Sequence, residues 1–301
     1  MNRRTFMTSS SLVFAGLTVD KWSNVPPPFL GAKPSKLTIL ATNWGFQGSF
    51  ADFCSAASQT GYDGVEVWLP DSSEVARYQE ETKKHNLVLG LLVGSGGKNP
   101  QEHLTSYRKA LEEAIRLTPL YINCHAGKDH FNFDQNAPII QAGIELAKQS
   151  QIPIYQETHR GRILYAASLS RDYFERFQDL RVTLDISHWC NVHESLLEDQ
   201  KENVALALSR TGHIHARVGH AEGPQVTDPR APEWQVAFLA HLDWWDEVIS
   251  QKTKQNQPVT ILTEFGPPDY MPVVPYTGQP LADNWKINAF MLDFLRKRYS
   301  T

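Results

Sequence analysis

From Lys36 onward, short runs of β-branched and aliphatic residues alternate with longer stretches whose apolar positions recur every three or four residues. The runs are LTILATNW (37–44), GVEVW (64–68), LVLGLLVG (87–94), LYINCHAG (120–127), IPIYQETHR (152–160), VTLDISHW (182–189), HIHARVGH (213–220) and VTILTEFG (259–266). Between them, Asp71–His85, Pro100–Thr118, Ala137–Ser150, Ser168–Gln178, Glu194–Arg210, Pro232–Ser250 and Asp283–Tyr299 carry a helical period. Strand starts about thirty residues apart, in strand–helix–strand order, predict a parallel sheet. Eight such units, with no composition break between them, predict a single (β/α)8 TIM barrel in the α/β class. An open doubly wound sheet is the runner-up. Its first turn needs a glycine-rich phosphate loop, and Asn43-Trp44-Gly45-Phe46-Gln47-Gly48 is not one.

Successive strand side chains point to opposite faces of a sheet, so each run splits by parity. In HIHARVGH, Ile214, Ala216 and Val218 suit contact with the helices, which turns His213, His215 and Arg217 into the barrel. The same split turns inward Glu66 and Trp68, then Tyr121, Asn123 and His125, then Tyr155, Glu157 and His159, then Thr260, Leu262 and Glu264; Asp185 shares a parity with Thr183. In several runs the ionisable member falls at the C-terminal end, where barrel enzymes place their chemistry. A lone one would be a solvated rim residue. Gathered in one mouth, carboxylates raise each other's pKa unless a cation neutralises them. Glu157, Asp185, His215 and Glu264, from four consecutive strands, offer three carboxylates and one imidazole. That donor set suits one divalent ion, Mn2+, Co2+ or Mg2+, and suits Zn2+ less well without a thiolate.

Glu-x-His after the fifth run, Asp-x-x-His in LDISHW, His-x-His in HIHAR and the final Glu of LTEFG together resemble the xylose-isomerase-like TIM-barrel superfamily. That group contains sugar-phosphate isomerases, ketose 3-epimerases and inosose dehydratases, and the resemblance runs from Lys36 to Tyr299. It implies Glu157, Asp185, His215 and Glu264 as metal ligands and His188 as an imidazole touching substrate. It also implies Glu157 and Glu264 as the catalytic bases that remove and return a proton beside a carbonyl. Three features depart from the pattern. The 3-epimerases carry a substrate-binding arginine six residues after the metal histidine; here that position is Ala221, while Arg217 lies two residues after and His220 and Glu222 stand in the following loop. The extra Asp pair and Lys of a two-metal xylose isomerase have no clear equivalent. Endonuclease IV-like enzymes, which hold three zinc ions, need a further Asp-x-His, and the nearest match is Asp228-Pro229-Arg230.

A net charge of −4 and a pI near 6.3 remove any electrostatic ground for a nucleic-acid or anionic-membrane partner. Cys54, Cys124 and Cys190 are too few and too irregularly spaced for a disulfide framework and read as buried free thiols. Trp44, Trp68, Trp189, Lys128, His130 and Arg162 lie at or beyond the run ends with His125, His159 and Arg160. Aromatic faces and hydrogen-bonding groups around a metal suit a polyhydroxylated ring. The expected substrate-binding set is therefore His188, Arg217, His125, His159, Arg160, Trp44, Glu66 and His220, with His213 in support of His215. The Pro-rich segment 266–280 reads as a lid, as the contact of a homo-oligomer, or equally as passive packing. At the other end, Asn2-Arg3-Arg4-Thr5-Phe6-Met7 and the apolar Leu12–Val19 resemble a twin-arginine export signal, which implies a periplasmic protein. That apolar run is too short to span a bilayer. Residues 1–35 are read as signal and Pro-rich spacer, and 36–301 as the barrel.

The expected function is metal-dependent isomerisation or epimerisation of a small-molecule carbohydrate: a sugar, cyclitol or keto-glycoside. Elimination (a lyase or dehydratase acting on a keto-sugar or inosose) and a sugar-binding barrel without turnover are the alternatives.

Overall fold

The computed structural model describes residues 26–300, so the export-signal segment lies outside the described residues. Eight parallel strands close into a barrel in chain order: β1 Leu37–Thr42, β2 Gly64–Trp68, β3 Val88–Gly94, β4 Ile122–His125, β5 Ile154–Glu157, β6 Val182–Leu184, β7 Thr211–His215 and β8 Val259–Thr263. The seam between β1 and β8 runs in register from Leu37 opposite Val259 to Ala41 opposite Thr263. Around it lie α1 Phe50–Thr60, α2 Val75–Lys84, α3 Pro100–Arg116, α4 Phe133–Ser150, α5 Ala167–Arg176, α6 Ile186–Val192, α7 Lys201–Ser209, α8 Gln235–Lys254 and α9 Asn284–Ser300. No helix of the described residues is long and apolar enough to cross a membrane.

The two strand parities separate as their chemistry requires. Val65, Val67, Ile122, Cys124, Ile214, Ala216 and Val218 are buried in the layer between sheet and helices. A second, smaller cluster of Leu40, Tyr121 and Leu262 fills the barrel interior. Gly90 on β3 makes room for it, because a Cβ there would stand 2.8 Å from the Tyr121 ring. All three cysteines are buried and free.

Four departures from the periodic reading stand out. VTLDISHW is extended only to Leu184. The Asp185 carboxylate then accepts the Ser187 backbone N–H at 3.2 Å and caps α6, so His188 sits on a helix, three residues on, where Asp-x-x-His shares a face. The helix expected over Glu194–Arg210 begins only at Lys201, after Glu194 and Leu197 adopt left-handed backbone angles. HIHARVGH likewise stops being a strand at His215, which leaves Arg217 on the C-terminal rim. Helix α1 lies outside the helical segments expected from the sequence. It is capped by a reciprocal pair between Ser49 and Asp52 and stopped at Gly61, whose φ of 96° favours glycine.

Candidate active site

The barrel interior becomes steadily more polar from its floor to its C-terminal mouth. Just above the Tyr121 ring, its hydroxyl donates to Glu66 Oε2 at 2.7 Å and lies 3.0 Å from His213 Nε2, whose other ring nitrogen meets Thr260 Oγ1 at 2.8 Å. Glu66 then reaches up to His215: its Oε1 lies 3.2 Å from His215 Nε2. A carboxylate behind one ring nitrogen fixes an imidazole's orientation and leaves the other nitrogen to bind a ligand. The structure therefore places Glu66, expected to touch substrate, beneath His215 as well as on the cavity wall. Asn123 bridges the same layer, donating to Glu157 Oε2 at 2.6 Å.

Above this layer three buried atoms lack any hydrogen-bond partner: Glu157 Oε1, His215 Nδ1 and Glu264 Oε2. His215 Nδ1 and Glu264 Oε2 lie 2.9 Å apart, yet they are not aligned as donor and acceptor. Donor atoms held about 2.1 Å from one ion stand about 3 Å from each other, so this arrangement fits two ligands of a common cation. An unmade hydrogen bond on a buried polar atom is costly, and two side by side, with a third on neighbouring Glu157, mark a site built for something else. Asp185 belongs to the same group geometrically, with His215 and Glu264 on one side and Glu157 and His188 on the other. Its oxygens are already engaged, Oδ1 by the Ser187 hydroxyl and Oδ2 by the Arg217 guanidinium. A carboxylate oxygen has a second lone pair, so Asp185 can still ligate, but in competition with arginine. The residues fit a divalent cation, with Glu157, His215 and Glu264 the free donors.

The electrostatics agree with a cluster short of positive charge. Burial alone would push the His215 pKa down, but Glu264, Glu66 and Glu157 hold it well above the ordinary imidazole range. Burial pushes Asp185 up to about 7, aided by Glu264 and Glu157 and opposed by Arg217. His188 is lowered by burial, by His159 and by Arg217 and stays neutral. Arg217 Nη2 lies 2.9 Å from His188 Nε2, and a guanidinium can only donate. His188 Nε2 therefore accepts, and the ring carries its proton on Nδ1, which is buried without a partner.

A cavity of about 230 Å3 opens over these groups, lined by Asn43, Trp44, Trp68, His125, Arg217 and Tyr270 among others. Trp68 is 52% exposed and offers a free ring face at the mouth. His125 and His159 do reach the site. His125 Nε2 lies 2.8 Å from Glu157 Oε2, and the His159 ring packs 4.4 Å from His125 and 3.9 Å from His188, its pKa pushed by burial and His125 down to about 3.

Arg160 stands behind, 5.0 Å from the Tyr270 ring centre and bonded to Asn191. His220 is not brought in: its backbone pairs with Gly223, its ring packs 4.6 Å from Trp234, and Glu222 turns outward with it. Trp189 is fully buried and His130 exposed. Asp228 and Arg230 pair with each other through three contacts of 2.6–3.1 Å, which consumes the carboxylate of the weak Asp-x-His match.

Tyr270 is the contact that parity reasoning missed. It comes from the Pro-rich 266–280 segment and packs edge-on to Trp44 at 4.8 Å, with Arg217 4.7 Å from its ring centre. Gly266, at the base of that segment, permits the arrangement, because a Cβ there would lie 2.3 Å from the Trp44 ring. Its backbone is pinned by both ends of the Gln225 amide. Gly266→Ala is expected to displace Trp44, to cost about 1–3 kcal/mol in chemical denaturation, and to weaken substrate affinity more than turnover.

No family model matches the chain, and no curated protein matches it in sequence. Solved structures do. A probable 3-DHS dehydratase involved in petrobactin synthesis from Bacillus anthracis is similar at TM-score 0.56 and 15% identity, over 87% of this chain and 99% of that one. An AP endonuclease, family 2, from Brucella melitensis gives 0.56 and 12% over 86% and 98%. A sugar phosphate isomerase/epimerase from Parabacteroides distasonis gives 0.53 and 10% over 90% and 98%. The likeness is one of fold. At such identities the chemistry rests on the residues of this chain.

Proposed function

We propose that the protein is a divalent-metal-dependent isomerase or epimerase that abstracts a proton beside the carbonyl of a sugar, cyclitol or keto-glycoside. The observation that carries this reading is the buried, unpartnered His215 Nδ1 and Glu264 Oε2, 2.9 Å apart and grouped with Asp185, beside the equally unpartnered Glu157 Oε1 and under an aromatic-lined cavity at the C-terminal mouth. Those three residues, with Asp185, would hold the ion, which when bound supplies polarisation of neighbouring carbonyl and hydroxyl oxygens. Glu157 is the first base. Asn123 and His125 fix its Oε2 and leave Oε1 free, an orientation suited to taking a proton from carbon. Glu264, on the neighbouring side of His215, is the partner that returns one. Arg217, 2% exposed on the cavity wall, orients substrate oxygens, while Trp44, Trp68 and Tyr270 stack on the ring and exclude water.

Elimination is the second reading, because His125 sits 2.8 Å from the proposed base and can pass a proton to a departing hydroxyl. Elemental analysis of the purified protein, followed by NMR of ketoses, inososes and 3-keto-glycosides in D2O, tests both. Exchange of a C–H hydrogen with the carbon skeleton intact supports isomerisation, and loss of water with a new conjugated absorption supports elimination. Sugar binding without exchange across the panel would favour a binding barrel, and absence of any divalent metal would sink the proposal. We further propose export of the chain through its Arg3-Arg4 segment, which cell fractionation of the wild type and of an Arg3→Lys, Arg4→Lys variant checks.

Metal loading should depend on pH with a definite sign. His215 and Asp185 both have folded pKa values raised above their unfolded ones. Their contribution to metal-free stability is present at low pH and lost as pH rises, from about 4 for Asp185 and about 6.5 for His215. An ion requires both deprotonated. The rise in melting temperature caused by Mn2+ is therefore expected to be larger at pH 8 than at pH 6; an equal or smaller rise would contradict the assignment of these ligands.

A further inference from the structure

We propose that the opposite, N-terminal end of the barrel carries a second binding site, which takes a small organic carboxylate with an apolar body. A cavity of about 740 Å3 lies there, among the strand starts and the C-terminal turns of α4 and α8, within the size range of sites for drug-sized ligands. The Leu40, Tyr121 and Leu262 floor separates it from the candidate active site.

Lys252, on the last turn of α8, lines this cavity at 9% exposure and has no hydrogen-bond or ion-pair partner among the described residues. A buried ammonium normally has a counter-ion, and this one has another cation nearby instead. Burial first, and Arg181 second, bring its pKa down to about 8, so it remains charged at neutral pH. Arg181, at the rim, spends only Nη1 on backbone carbonyls. The one acid on the wall, Asp179, is tied to Lys148 at 2.5 Å, feels Arg181 only as a weaker neighbouring charge, and is not paired with Lys252. An ammonium beside a guanidinium with free donors describes a receptor for a carboxylate. The rest of the wall is mixed: Ile144, Ile154 and Leu180, with Tyr155 at the barrel axis, give it an apolar side, while Gln151, Gln251 and Gln255 add amide groups. The apolar side suits an aliphatic or aromatic body, which a hydrated inorganic anion lacks.

Isothermal titration of the full chain and of Lys252→Met tests the site, using aliphatic monocarboxylates of increasing length and benzoate. The neutral alcohols of equal length and inorganic phosphate serve as comparison arms. Wild type is expected to bind at least one carboxylate below about 1 mM, with affinity rising with chain length. The matching alcohol, and Lys252→Met with that carboxylate, should each bind about tenfold more weakly. Lys252→Met should melt no lower than wild type, because an apolar side chain replaces an unpaired buried charge. Absence of carboxylate binding at about 10 mM, equal binding of alcohol and carboxylate, or unchanged affinity in Lys252→Met would each overturn the proposal. Phosphate binding tighter than every carboxylate would overturn the assigned ligand class.

Discussion

Glu157→Gln is expected to slow exchange of the substrate C–H hydrogen by about 10²–10⁴-fold while substrate binding survives. The substitution keeps the shape of the side chain. Its amide oxygen can still accept from Asn123 Nδ2, which lies 2.6 Å from Oε2, so the site's geometry is retained. What disappears is basicity at the unpartnered Oε1, together with one of the charges that hold an ion. Separating the two effects requires metal content to be measured beside the rate. A variant that retains metal and binds ligand but does not exchange hydrogen isolates the base function. Wild-type exchange in Glu157→Gln with metal present would remove Glu157 from the mechanism. Glu264→Gln, read on the same substrate, should fail on the return step instead and let hydrogen exchange outlast formation of epimer.

The residues in this prediction were readable from the sequence because strand parity is a strict period of two. Each ionisable group of the inward parity, Glu66, His125, Glu157, Asp185, His215 and Glu264, does line or underlie the mouth. Parity gives a side of the sheet and says nothing of height or partners. Glu66 and His215 share an inward direction, and only the closed register of the barrel reveals that one stands beneath the other as its ion-pair partner. The position of His188 was hidden differently. Its run reads as continuous strand, but Asp185 caps a helix, and three-residue spacing on a helix replaces two-residue alternation. His220 failed for the opposite reason: a loop histidine near a strand end has no period to orient it, and its backbone pairing with Gly223 decided. Tyr270 lies in a segment without periodicity, where composition suggested a lid and no individual residue stood out.

Arg217→Gln should produce the largest stability effect at this site, and its size should depend on metal. In the metal-free protein Arg217 is the permanent cation of the cluster, bonded to Asp185 Oδ2 and 3.6 Å from Glu264 Oε2. Both it and Asp185 are buried. Removing one member of a buried ion pair leaves the other uncompensated, a loss of about 3–5 kcal/mol. Part of that loss can be escaped by protonating Asp185, whose pKa burial already raises, so the destabilisation should be larger at pH 8 than at pH 6. A divalent ion supplies the missing charge and no longer competes with the guanidinium for Asp185. Denaturation of Arg217→Gln in excess Mn2+ is therefore expected to recover most of the lost stability, with Mn2+ bound about tenfold or more tightly than by wild type. A neutral arginine substitute that is equally destabilised with and without metal would show that Arg217 and the ion do not share Asp185, and would reduce Arg217 to a packing and substrate-contact role.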